Sequence, residues 1–445
     1  MPRIAPLATA PATPAPPVTP PALLRRAAVR LANNGPLLRR LSGPLLRFAP
    51  IVRVGQVVLV TRHADVVEVL ERDSDFTVAE SNAASMDRVN GPFVLGMDRS
   101  PLCEREQAIL ARCVHDGDDA RIRGAVRATA AELLEGARPR GRLDVVQDLA
   151  RPAAVRLVAD YFGAPGPDEA TMATWMRRIF HETFLNIGGD AGVRRAGEAS
   201  GASLHAYLDE LIARRQSERA TGTIVPDDMV TRLVRLQDET GLSDEGVRRN
   251  LGGVIVGAVD TTSKATAHAV DQLLAHPRAL HQARAAAVAG DVEQVGQWAF
   301  EALRFNPINP VLSRHVARDT VLAAGTRRRR RIPGGCTLYT GILPAMFDPE
   351  VFPDPGQLRG DRPLASYLHF GHGLHRCFGR FVNVIQIPEL VAAVLRLEGL
   401  RRAPGRRGAI VYDGPFPDRL LVDFDTGAGA GAVPPAAPPR LATAP

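Results

Sequence analysis

Between Ser243 and Pro277 the chain holds about thirty residues in which nothing stops an α-helix. Ser243 is a candidate N-cap, Asp244 and Glu245 put acids where the helix dipole favours them, and Pro277 ends the run. At about 1.5 Å per residue such a helix spans roughly 45–50 Å, the width of a whole domain. It carries no heptad repeat, so it is expected to lie buried along the middle of a large, mainly helical fold. Its centre is poor helix material: Gly252, Gly253 and Gly257, then Val259, Asp260, Thr261, Thr262 and Ser263. Hydroxyl side chains compete for backbone carbonyls and bend a helix. An acid at that depth is costly without a partner or water. A polar weak point between two apolar stretches, Leu251–Val259 and Ala265–Leu274, suggests a groove where small molecules meet the helix.

A second singular segment is the loop from Phe370 to Gly379. Gly371, Gly373 and Gly379 allow sharp turns and close approach to another body. Cys377 stands at the mouth of an apolar helix that starts near Phe378, where unpaired N–H groups and the positive dipole end favour thiolate over thiol. Such a sulfur suits a soft metal. On the loop alone, Cys377 is as readily one more small buried residue.

The rest of the chain frames these two segments. Leu23–Leu46 has the spacing of an amphipathic leading helix, and Ile51–Val54 with Val57–Val60 reads as a hairpin followed by a helix at Val66–Glu71. From Asp118 the pattern is helical almost throughout: Ala120–Glu135, Val145–Tyr161, Asp168–Phe184, Ala196–Arg215 and Pro226–Gln237. Asp291–Phe305 bears Glu301 and Arg304 on one face. Val311–Thr340 alternates strands and turns, with Arg327–Arg331 expected on a solvated edge. Pro388 lies within the last helix and is expected to kink or interrupt it.

Three segments together resemble the cytochrome P450 family. Phe370, Gly373, Cys377 and Gly379 match its haem-binding signature, Glu301 and Arg304 its Glu-x-x-Arg pair, and Gly257–Thr262 its oxygen-activation helix, with Ala258 where a second glycine is common. The resemblance covers roughly Pro50 to Asp425. It implies a mainly α fold with a smaller β-rich region and a long central helix over haem b (iron protoporphyrin IX). Cys377 would be the axial ligand, shielded by Phe370 and the glycine-rich backbone. His375 and Arg314 match positions that hold the propionates. Thr261 would bond dioxygen at the haem, and Asp260 would relay protons to it. Arg362 matches the arginine that joins Glu301 and Arg304 in a structural lock on the loop. The segments around 180–187 and 202–211 would roof the substrate pocket. The family's helical His and Arg, four residues apart, are replaced by Cys103-Glu104-Arg105-Glu106-Gln107, so Arg105 or Arg112 is the expected substitute.

The implied reaction is insertion of one oxygen atom from O2 into an apolar small molecule. No flavin or iron–sulfur motif occurs, so a separate ferredoxin or flavodoxin with its reductase is expected. A peroxide-driven peroxygenase or fatty-acid hydroperoxide isomerase, and a non-catalytic haem sensor, are the rival readings. The chain is expected to be a cytoplasmic monomer with one domain over residues 23–425, flanked by disordered tails at 1–22 and 426–445. No apolar run is long enough to span a membrane, and the four cysteines show no disulfide or zinc spacing. The net charge of +7 comes almost wholly from arginine, with Lys264 the only lysine, and no aromatic platform accompanies Arg327–Arg331 to suggest nucleic acid.

Overall fold

The structure, a computed structural model, describes residues 35–426 apart from Ile187. The first helix, α1 (Gly35–Phe48), overlaps the expected leading helix; residues 23–34 of that expectation and both tails, Thr426 apart, lie outside the described residues. A hairpin follows, β1 (Ile51–Val54) and β2 (Val57–Val60), then α2 (His63–Glu71), β3 (Phe76–Thr77), α3 (Ala79–Val89) and α4 (Pro101–Arg112). Next come α5 (Asp118–Ala137), β4 (Arg142–Asp144), a π-helical turn at Val145–Ala150 and α6 (Arg151–Asp160), whose second residue is Pro152. Then come α7 (Glu169–Phe180), a second π turn at His181–Leu185, α8 (Ala191–Ala220) and α9 (Met229–Thr240).

Side-chain caps fix several helix starts. Asp168, Asp190, Asp228, Ser243 and Asp291 each accept a backbone N–H of the first turn through the side chain. The expected continuous central helix is two helices, α10 (Asp244–Val256) and α11 (Val259–Ala275). Gly257 and Ala258 keep helical dihedrals, but their N–H groups bond to Ile255 O, so the regular ladder lapses there. Downstream the hydroxyls of Thr261, Thr262, Ser263 and Thr266 each reach the carbonyl four residues back. That competition for carbonyls accounts for the lapse.

After α12 (Pro277–Ala289) and α13 (Val292–Phe305) the chain makes β5 (Val311–Val316), β6 (Thr320–Leu322), β7 (Arg330–Ile332) and β8 (Thr337–Gly341). The principal sheet runs β1-β2-β8-β5-β3, with β2 and β8 parallel and the other pairs antiparallel. A meander leads through the loop at 370–379 into α14 (Arg380–Leu395), two residues later than the sequence suggested. Pro388 does not break α14; it is buried against Gly296 of α13, where an added Cβ would stand 3.2 Å from Pro388 Cγ. Short strands close the chain: β9 (Arg401–Arg402), β10 (Val411–Asp413), β11 (Phe416–Arg419) and β12 (Leu421–Asp423). The arginine run lies on a solvated edge as expected, with Arg327, Arg329, Arg330 and Arg331 exposed and β7 paired only with β6 among the described residues; Arg328 alone turns in, to the buried Asp65 at 2.9 Å.

Two large apolar bodies result, and a small third one of Leu38, Leu46, Phe305, Leu343 and Phe347 joins α1 to the end of α13. One lies among the helices, and the other lies under the principal sheet, built from residues such as Val58, Val69, Leu70, Phe76 and Leu338. Helix α11 packs on α6, α13, α14 and the 145–150 turn, and most of its residues are buried. The loop of Cys377 lies where the bodies meet, since Phe370 and Phe378 pack on the helical core while Leu368 belongs to the sheet core.

Candidate functional site

Cys377 is a free thiol whose N–H donates to Phe370 O at 2.8 Å, closing the loop on itself. It lies deep in the protein yet keeps open surface, as a residue facing an internal space does. Burial pushes its thiol up, against backbone N–H groups of Gly379 and Arg380 that pull it down. The thiolate expected from the helix terminus alone is thus not favoured. α14 begins at Arg380, and desolvation outweighs the dipole. A bound metal deprotonates a coordinating thiol outright, so the sulfur still suits a haem iron.

The loop is held from several sides. Gly371 and Gly373 have φ of 67° and 68°. A Cβ at Gly373 would stand 2.3 Å from Leu70 O in α2, so only glycine fits there without displacement. Phe370 packs edge-on to Phe300 of α13 with centroids 5.9 Å apart. Gln107 of α4 donates to Leu374 O at 3.0 Å. The expected substitutes point elsewhere: Arg105 bonds Thr240 O at 2.6 Å and Arg112 pairs with Glu239. Both are engaged by α9, away from the loop.

Arg314 on β5 is buried, and its one bond runs from Nη1 to Ser313 O at 2.8 Å. Burial pushes its pKa down to about 10, so it stays charged at neutral pH with most of its donors free. An anionic propionate is the chemistry that such an orphaned guanidinium accepts. His375 Nε2 lies 2.8 Å from Met97 O, and burial lowers its pKa, so its second nitrogen is the one left for another group. These residues fit a haem.

Beneath the loop, Glu301 and Arg304 are wholly buried and joined by bonds of 2.7 and 2.9 Å. Glu301 also accepts from Arg362 Nε at 3.2 Å, Arg359 N at 3.1 Å and Tyr367 OH at 2.7 Å. Arg304 donates further to the carbonyls of Met346, Pro355 and Gln357 and lies over Phe305 and Phe347. Tyr367 and the carbonyl cage carry no spacing signal in the sequence.

On α11, Thr261 is half-buried and donates to Gly257 O across the helix lapse. Thr262 turns the other way, to Asn383 of α14 at 2.8 Å. Asp260 is buried, 3.4 Å from Arg177 Nε on α7 and 3.9 Å from Arg151 Nε on α6. Burial raises its carboxyl above the usual range, and the two guanidinium groups oppose that rise. Arg177 also pairs with Asp413 at 3.2 Å and lies over Phe416, which ties β10 and β11 to the site. Neither arginine was recognisable from sequence, because the pairing is wholly tertiary. No cluster of three or more His, Cys, Asp or Glu forms a metal site among the described residues, and no helix among them is long and apolar enough to cross a membrane.

The family model described as Cytochrome P450 matches residues 56–397. The chain is similar to the vitamin D(3) 25-hydroxylase of Pseudonocardia autotrophica, 27% identical over 361 residues, 79% of this chain and 80% of that one. It is similar to the cytochrome P450 monooxygenase PikC of Streptomyces venezuelae, 28% identical over 279 residues, 61% of each chain. Among solved structures, CalO2 matches with a TM-score of 0.77 at 25% identity, over 90% of this chain and 98% of its own.

Proposed function

The chain belongs to the cytochrome P450 family, and from that premise we propose that it inserts one oxygen atom of O2 into an apolar small molecule, fed with electrons by a separate ferredoxin or flavodoxin and its reductase. Family membership makes it a haem-thiolate monooxygenase that uses haem b. Its working form is a cytoplasmic monomer with one catalytic domain. The observation that carries the reading is the deep-lying Cys377 sulfur with open surface, backbone N–H groups on it and a loop locked from behind by buried charge.

Haem, when bound, would supply the redox chemistry, and a thiolate ligand would suit it to O–O cleavage. The protein's residues divide the remaining work. Cys377 Sγ would hold the haem iron, with the N–H groups of Gly379 and Arg380 tuning its electron density. Phe370 shields the sulfur from water. Arg314 holds a propionate through its free guanidinium donors, and His375 contributes its second ring nitrogen. Thr261 would offer dioxygen in the site the hydroxyl that otherwise donates to Gly257 O. Asp260 moves protons at its carboxyl oxygens. Its raised pKa makes it readier to take a proton than an exposed carboxylate, and the half-buried Arg177 leads from it towards solvent. Glu301, Arg304 and Arg362 are structural, holding the loop that presents Cys377.

The test is product formed per reductant consumed, in wild type and in Thr261→Ala, alongside the CO-bound spectrum of Cys377→His. Wild type is expected to show a thiolate-type Soret band that Cys377→His abolishes. Thr261→Ala is expected to keep haem and consume reductant while losing most product, since proton-transfer groups are worth about 10²–10⁴-fold. Product from added peroxide alone, and none with any reduced ferredoxin or flavodoxin, overturns the proposal in favour of a peroxygenase or hydroperoxide isomerase. A thiolate haem with no turnover from any oxidant points to a sensor.

A further inference from the structure

We propose that Lys264 anchors a carboxylate of the substrate, so that the enzyme acts on apolar acids rather than on neutral apolar molecules. This rests on the monooxygenase reading and names its substrate class.

Every other basic side chain among the 55 in the sequence is arginine. The one lysine stands on α11, three residues after Thr261 and four after Asp260, hence one turn along on the same side of the helix. It is 9% exposed, and it makes no hydrogen bond or ion pair among the described residues. A buried ammonium without an acceptor is a costly arrangement that an incoming anion relieves.

Neither acid of α11 is free to supply that anion. Asp260, one turn before, is held by Arg177 and Arg151. Asp271, two turns beyond, is held by Arg402 at 2.7 Å. His268, one turn beyond, has Nδ1 at 2.9 Å from Asn306 O and Nε2 at 3.0 Å from Tyr412 OH, so both ring nitrogens are taken. Burial first, and the Lys264 charge second, push its pKa down to about 3, so it stays neutral. Burial lowers Lys264 itself only to about 8, which leaves it mostly ammonium at neutral pH.

The chemistry selects a single carboxylate. A compact ammonium offers one point charge, which one carboxylate neutralises and a phosphate dianion would overbalance. The guanidinium used elsewhere in this chain presents five donors and needs several acceptors, as Arg304 shows with Glu301 and three carbonyls. Ala258, partly exposed one turn before Thr261, offers the rest of the molecule only apolar contact. A carboxylate fixed at Lys264 therefore sets the distance from the acid group to the carbon that lies beside Thr261.

The test titrates holoprotein by calorimetry with octanoate, dodecanoate and hexadecanoate, each beside its methyl ester. At least one acid is expected to bind at least about tenfold more tightly than its ester, the size of a charge-assisted bond. Lys264→Met is expected to erase that preference while keeping haem and the CO band. Lys264→Arg, which keeps the charge, is expected to retain a preference for the acid. No acid outbinding its ester in wild type, or an undiminished preference in Lys264→Met, overturns the inference. Should Lys264→Met not fold, the wild-type acid and ester comparison and Lys264→Gln decide in the same way. A wild type without the thiolate band fails the monooxygenase reading. A wild type with that band and with reductant-driven turnover, but without acid preference, fails only the role of Lys264.

Discussion

Burial pushes the Asp260 carboxyl above its ordinary range, while Arg177 and Arg151 work against that push. An acid with a raised folded pKa binds its proton more tightly in the folded than in the unfolded chain. Stability therefore falls as pH rises from the ordinary carboxylate range to the raised folded value, and levels off above it. Arg177→Gln removes a cation that favours the charged form, so it raises that value further. The variant is expected to lose about 1.4 kcal/mol per unit above the new value, and the loss is expected to shrink as pH falls through it. Melting curves of Arg177→Gln and wild type at neutral and acid pH check this; a difference independent of pH contradicts it. Cys377, Asp260 and Thr261 stand out in the sequence because glycines or poor helix formers surround them. Arg177 and Arg151 do not, because one arginine among so many carries no mark until the fold brings it to Asp260. Gln107 escaped for a related reason: charge was sought near the loop, and a neutral amide answers a carbonyl there.

At the scale of elements, helices α5, α7 to α11 and α13 are largely legible, because apolar spacing and capping acids act locally, whereas α12 was not anticipated. The lapse at Gly257–Ala258 was not, since glycine propensity lowers helix stability without saying which bond gives way. Pro388 misled for the opposite reason: the cost of a proline inside a helix is local, but the space that tolerates it belongs to Gly296 on another helix. Helix α13 and the meander meet at one buried charge cluster, in which Arg304 is wholly buried and bonded to Glu301 and three carbonyls. Arg304→Ala strips Glu301 of its bidentate partner and is expected to cost about 3–5 kcal/mol. The measurement is the yield of soluble, haem-loaded protein. Normal loading with only turnover lost would show that the pair acts in chemistry instead.

At the scale of the molecule, the sheet core and the helical core touch through the loop of Cys377, where Gly373 lies close against Leu70 O. Gly373→Ala adds a methyl where 2.3 Å is available and a side chain where φ is 68°. The loop must lift from α2, and haem content per protein is expected to fall by about half or more, given a strain of about 1–2 kcal/mol from φ alone. Unchanged haem content would show that the two bodies are less tightly joined than the contact implies. The parallel pairing of β2 with β8 carries a consequence for synthesis. Gln56 and Cys336, which meet beside that pairing, are 280 residues apart in sequence. At about 5–20 residues per second, the first hairpin waits roughly 15–55 s on the ribosome before its partner strand emerges. Throughout that interval the Val57–Val60 edge is an open template for other chains, so the newborn protein is most vulnerable to aggregation before its second half exists.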